Sequence, residues 1–223
     1  MDAQPAQFPC PCGCGTRFPA MVAEREQGLR DDTLPAAPAA RLPAGEHAAV
    51  YLISGVPGAG KSTVARLLAL HFDRAAHIDI DMVYHHFTVA GLEPPASQPG
   101  DPGDQGHLAV INAAAMARNY VAAGYVCLLE GAVAMRSQIL ACPRVLSPQP
   151  LHLVVLAPPA GVSDRRDAQR SGKHVAGYFR HLGPMLDREL ARLGLWIDNG
   201  DQAPLDTVRT ILARRVEARL PVP

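Results

Sequence analysis

The chain has 223 residues, enough for one domain with a full core plus an appendage, so it needs no disulfide staples. Lys plus Arg and Asp plus Glu balance at 21 each, which gives no sign of a nucleic-acid surface and suits a small or neutral partner better. Of its five cysteines, three crowd into Cys10, Cys12 and Cys14, unlike the even, dispersed pattern of a secreted disulfide framework.

In chain order, residues 1–45 carry seven prolines among many alanines, with no sustained hydrophobic period beyond a possible short helix near Met21 to Leu29. This stretch reads as a Pro/Ala-rich tail or linker bearing the Cys cluster, and residues 46–223 as the working domain. Met1 to Ala20 lacks a basic start followed by an apolar run, and no stretch reaches the length of a membrane-spanning helix. A cytoplasmic protein without a membrane partner is expected; nothing in the sequence sets an oligomeric state. From Ala48 onward, apolar runs alternate with amphipathic stretches, the pattern of βαβ units on a parallel sheet. Ala48 to Ser54 reads as a buried strand, Lys61 to Phe72 as a helix and His77 to Ile80 as a second strand, with another helix from about Met82. Gly91 to Gly106, rich in Pro and Gly, should be a mobile loop where an acceptor could enter. A helix over His107 to Ala123 follows, then strands at Tyr125 to Glu130, Leu151 to Ala157 and Leu195 to Asp198. Pro184 to Leu193 and Leu205 to Arg219 have helical spacing, the latter with Val208, Ile211, Leu212 and Val216 on one face.

Gly55-Val-Pro-Gly-Ala-Gly-Lys-Ser62 fits G-x-x-x-x-G-K-[ST] at every fixed position, directly between a strand and a helix. The glycines let the chain curl so that successive backbone N–H groups converge, and the helix dipole adds positive potential, which makes an anion site. Nucleotide contacts are therefore expected from Gly55, Pro57, Gly58, Ala59, Gly60, Lys61, Ser62 and Thr63. Lys61 should reach the β- and γ-phosphates of ATP, Ser62 should ligate Mg²⁺, and Thr63 should touch the α-phosphate.

The loop in its setting, Ile53-Ser-Gly-Val-Pro-Gly-Ala-Gly-Lys-Ser-Thr-Val-Ala-Arg-Leu-Leu, is followed by His77-Ile-Asp-Ile-Asp81, Arg166-Asp-Ala-Gln-Arg170 and Leu193-Gly-Leu-Trp-Ile-Asp198. Together these segments resemble the chloramphenicol-phosphotransferase-like and zeta-toxin-like P-loop kinases over about residues 48 to 216. The resemblance implies an α/β three-layer sandwich with a five-stranded parallel sheet, order 2-3-1-4-5, and an arginine-bearing lid. It also implies an ATP-dependent kinase acting on a hydroxyl of a small molecule. Asp81, at the end of the second strand, would face the acceptor and help remove its proton. Capping of the next helix is the competing use of the Asp79–Asp81 pair.

Arg165, Arg166, Arg170 and Lys173 concentrate charge after the fourth strand, with Gly172 and Gly177 as hinges; the family match selects Arg166 and Arg170 as the lid residues that neutralise the transferring group. A solvated helix face is the alternative for such a run. Glu130 could order magnesium-bound water or the acceptor, although the family more often shows aspartate there, and Arg136 could contact the acceptor or decorate a helix. Asp198 and Asn199 follow the last strand, where the adenine rests in this architecture, read by backbone groups rather than side chains. Cys10, Cys12 and Cys14 resemble half of a zinc knuckle whose other ligands are missing, so an ordinary reduced tail is favoured. Two rivals share the loop. A polynucleotide or RNA-end kinase should show stacking aromatics, but these are only 5% of the chain. The second is a nucleotide-dependent regulatory binding module.

Overall fold

The computed structural model describes residues 7–9, 17–19, 49–90, 103–169, 181–191 and 193–221. The chain divides into two units, Met1–Pro38 and Ala39–Pro223. In the first, strands β1 (Gln7–Pro9) and β2 (Arg17–Pro19) pair antiparallel, with Phe8 opposite Phe18. The tail read from composition alone thus contains a strand pair that its proline content concealed.

The second unit is built on strands β3 (Val50–Gly55), β4 (Ala75–Asp79), β5 (Val126–Glu130), β6 (Leu151–Leu156) and β7 (Leu195–Ile197), all parallel in the order β4-β5-β3-β6-β7. Counted within this unit the order is 2-3-1-4-5, as the resemblance implied. The three inner strands are buried at every position, whereas β4 and β7, at the edges, are only partly covered. Covering both faces requires near-continuous apolar runs, which is why Val50–Ile53, Val126–Leu129 and Leu151–Leu156 read so clearly. Each fully buried Leu or Ile in them, such as Leu52, Ile53 or Leu129, contributes about 1.5–3 kcal/mol.

The helices are α1 (Lys61–Ala69), α2 (Ile80–His86), α3 (Gly103–Ala122), α4 (Arg136–Leu146), α5 (Ala160–Ala168), α6 (Leu182–Leu190), α7 (Pro204–Ala213) and α8 (Arg215–Ala218). Alternate strand residues, Val50 and Leu52, Cys127 and Leu129, Leu151, Leu153 and Val155, share one core cluster with apolar positions of α3, α4 and α6. Helix α1 packs against α7. Among the described residues no helix is long and apolar enough to cross a membrane.

Several boundaries differ from the sequence expectation for identifiable reasons. Helix α1 stops at Ala69 rather than Phe72, because His71 and Phe72 donate to the carbonyls of Leu68 and Ala69, a tightening to i→i−3 bonds. Helix α3 begins at Gly103, inside the expected loop; residues 91–102 of that loop lie outside the described residues. The last helical stretch breaks at Arg214 (φ −109°, ψ 21°), so Val208 and Ile211 are buried while Val216 is 80% exposed. The break rotates Val216 off the buried face. Leu220 instead is buried, its N–H donating to Leu151 O at 2.8 Å.

Candidate active site

Parallel register brings Gly55, Asp79, Glu130, Leu156 and Ile197 to one edge of the sheet, the carboxyl edge where open α/β sheets bind ligands. Glu130 on β5 has Asp79 of β4 on one side and Ile53 of β3 on the other, so β3 hands its chain into the phosphate loop beside two carboxylates.

The loop is tightly wound. Ala59 N–H donates to Val56 O at 3.1 Å, and Gly58 (φ +80°) and Gly60 (φ +92°) adopt left-handed conformations. At Gly58 a Cβ would also collide with the Ser163 carbonyl oxygen, because the first turn of α5 packs on the loop there. Gly60 is the N-cap of α1 and offers no side chain to the first N–H groups of the helix, which leaves them directed at whatever anion enters the concavity. Lys61 Nζ donates to Val56 O at 3.2 Å, folded back across the loop. Ser62 is half-buried, and Thr63 is exposed at the rim.

The acidic side is equally ordered. Asp79 Oδ1 accepts from the N–H groups of Asp81 (2.9 Å) and Met82 (3.3 Å) and so caps α2. The capping expected of this pair falls on Asp79; Asp81 sits exposed in the first turn of the helix. Glu130 is only 4% exposed. Burial pushes its carboxyl above the ordinary value, and Asp79 and Asp81 push it the same way, against a hydrogen bond from the Ser62 hydroxyl and the charge of Lys61. His77, two residues before Asp79 and on the same side of β4, places Nε2 3.7 Å from Glu130 Oε1. The i, i+2 spacing of His77 and Asp79 puts both on one face of β4, whereas the pairing with Glu130 depends on the register with β5. Ser54 Oγ donates to Val133 O at 2.7 Å, tying the root of the phosphate loop to the segment after β5. Arg136 opens α4 as an exposed side chain. Among the described residues no group of three or more His, Cys, Asp or Glu side chains could hold a metal ion by itself.

On the other flank of the loop, Gly58, Gly60, Thr63, Val64, Arg166, Asn199, Gln202 and Pro204 line a pocket of ≈ 290 Å³. Arg166 Nη2 donates to the carbonyls of Asn199 (3.0 Å) and Gly200 (3.1 Å), so this arginine grips the loop after β7. Arg170, its expected companion, lies outside the described residues. Asn199 is 4% exposed, and its Nδ2 donates to Ala59 O at 2.9 Å. The sequence gives no local signal for this side-chain contact, because the partner lies 140 residues away.

Solved structures show the same fold at low identity. A sugar kinase from Janibacter sp., in an unliganded structure, superposes with a TM-score of 0.56 at 18% identity, covering 76% of this chain and 95% of its own. A gluconokinase from Sinorhizobium meliloti gives 0.55 at 18%, covering 76% and 93%. The Mycobacterium tuberculosis APS kinase in complex with AMPPNP and APS gives 0.55 at 14%, covering 75% and 96%. No curated protein matches the sequence. The family model described as Zeta toxin matches residues 36–181, from ahead of β3 through the phosphate loop, the acidic strand ends and α5. That span takes in more than half of the chain and the core of the site just described, and the chain therefore belongs to the Zeta toxin family.

Proposed function

We propose that this protein is an ATP-dependent phosphotransferase that moves the γ-phosphoryl group to a hydroxyl of a small molecule. The observation that carries the reading is the junction of an uncapped helix N-terminus and Lys61, which suit polyphosphate, with the buried Glu130 carboxyl beside Ser62 and two further carboxylates on the acceptor side. The solved structures of like fold, a sugar kinase, a gluconokinase and an APS kinase, support a small acceptor.

In this reading the N–H groups of the loop and of the start of α1 hold the β- and γ-phosphates. Lys61 exchanges its bond to Val56 O for phosphate oxygens as it swings into the concavity. Ser62 and the crowded carboxylates form a hard-oxygen donor set that suits Mg²⁺, held chiefly by the nucleotide with Ser62 as the protein ligand. Bound there, Mg²⁺ would offset charge on the phosphates. Asp81 orients the acceptor hydroxyl and takes its proton. Asp79, engaged as a cap, keeps the helix that carries Asp81 in place. Arg166 holds the loop after β7 against the ≈ 290 Å³ pocket, which suits the adenine and ribose, and Arg170 supplies positive charge from the adjoining segment.

The test is acceptor-dependent ADP release by the purified protein with ATP and Mg²⁺, screened against sugars, nucleosides, antibiotics and RNA ends, with Lys61→Ala alongside. Loss of turnover in that folded variant is expected. Unchanged ADP production would remove the loop from the reaction.

A further inference from the structure

Asn199 is tied to the phosphate loop in a way that bears on where the loop's amides point. Its Nδ2 donates to Ala59 O at 2.9 Å, and because a carbonyl oxygen only accepts, the orientation of the side-chain amide is fixed by that contact. The Ala59 carbonyl and the Gly60 N–H belong to one planar trans peptide unit, so they point in opposite directions. Pulling the oxygen toward Asn199 turns the Gly60 N–H to the other side. Gly60, at φ +92°, has the freedom this turn requires, and the Asn199 amide lies against it: a Cβ at Gly60 would be 3.8 Å from Nδ2.

The tether is itself held. Asn199 is 4% exposed, its own carbonyl and that of Gly200 accept from Arg166, and the Gly200 N–H donates to Asp198 Oδ1 at 2.9 Å. The Asn199 Oδ1 atom is buried and makes no hydrogen bond among the described residues. Leaving an acceptor unpaired costs free energy, which the Nδ2 bond to Ala59 O offsets.

We propose that Asn199 is a positioning residue for phosphate binding: through Ala59 O it sets the polarity of the Ala59–Gly60 peptide, so that the Gly60 N–H joins the anion-binding amides. The inference rests on the reading of this loop as a polyphosphate site and adds to it a residue far away in sequence, in direct contact with the loop.

The test uses two probes that occupy different halves of the site. Displacement of a fluorescent ADP analogue from the full chain is measured with inorganic pyrophosphate and, separately, with adenosine, for the unaltered protein, Asn199→Ala and Asn199→Leu. The leucine variant keeps the branching at Cγ, fills rather than empties the site and removes the donor, so packing loss is separated from loss of the hydrogen bond. Melting curves set a temperature at which all three are folded. Pyrophosphate affinity is expected to fall by about ten-fold in both variants, the scale of one amide bond to a charged group, and several-fold further than adenosine affinity, which falls only as far as Asn199 lines the pocket. Equal losses for the two probes would show that Asn199 merely shapes the pocket, and unchanged pyrophosphate affinity would show that the peptide needs no tether; either overturns the inference alone. Failure of the unaltered protein to bind the ADP analogue would overturn the nucleotide reading itself, and the inference with it.

Discussion

Asp79 and Asp81 are two residues apart, and the structure gives them separable tasks, which makes a paired substitution informative. Asp79 Oδ1 caps α2 through two N–H groups, at 2.9 and 3.3 Å. Asp79→Ala should therefore cost about 1 kcal/mol, within the range for lost N-caps, and lower the melting temperature by about 2–4 °C for a domain of this size. Asp79→Asn keeps a capping oxygen and should cost only a few tenths of a kcal/mol. Asp81 lends the cap its backbone N–H, which substitution leaves in place, and its side chain is exposed, so Asp81→Asn should change stability by less than about 0.5 kcal/mol. If its carboxylate is the base, phosphoryl transfer should fall by about 10²-fold or more in Asp81→Asn, with ATP affinity unchanged. Thermal melts, ATP titration and acceptor-dependent ADP release on one preparation of each variant give all three numbers. Undiminished transfer by Asp81→Asn, or a greater loss in Asp79→Asn than in Asp81→Asn, would refute the division of labour.

Two further outcomes follow from the same geometry. Glu130 has its carboxyl raised above the ordinary value of 4.5, chiefly by burial, so between that value and the raised one the native state binds more protons than the unfolded state. Nucleotide-free stability should accordingly decline as pH rises through that window, and Glu130→Gln should flatten the decline; a melting temperature with the same pH slope in both proteins would contradict this. Removal of residues 1–38 should leave melting and ADP affinity nearly unchanged, since β3 to β7 take their strand partners from within the second unit; loss of cooperative melting would refute it.

Much of this protein was written locally. Gly55 to Ser62 announced an anion-binding turn because the residues that wind the loop are contiguous. Val50–Ile53, Val126–Leu129 and Leu151–Leu156 announced inner parallel strands because a strand covered on both faces must be apolar throughout. Strand order came through resemblance rather than through any local pattern. Helix ends were less legible: the end of α1 and the break at Arg214 depend on how the chain must leave for its next packing partner.

What only the tertiary structure decided is which residues meet. Sequence placed two acids around the end of β4, but the hydrogen bonds made Asp79 the cap and left Asp81 its exposed place. Glu130 stood at a strand end in the sequence; register with Asp79 and Ile53 buried it beside Ser62 and raised its pKa. Arg166 grips Asn199 and Gly200, and Asn199 grips Ala59, across separations of 33, 34 and 140 residues. Periodicity and motifs are properties of neighbours along the chain, whereas these contacts exist because parallel order β4-β5-β3-β6-β7 delivers five separate loops to one edge of the sheet. Burial there then decides which polar atoms must find each other.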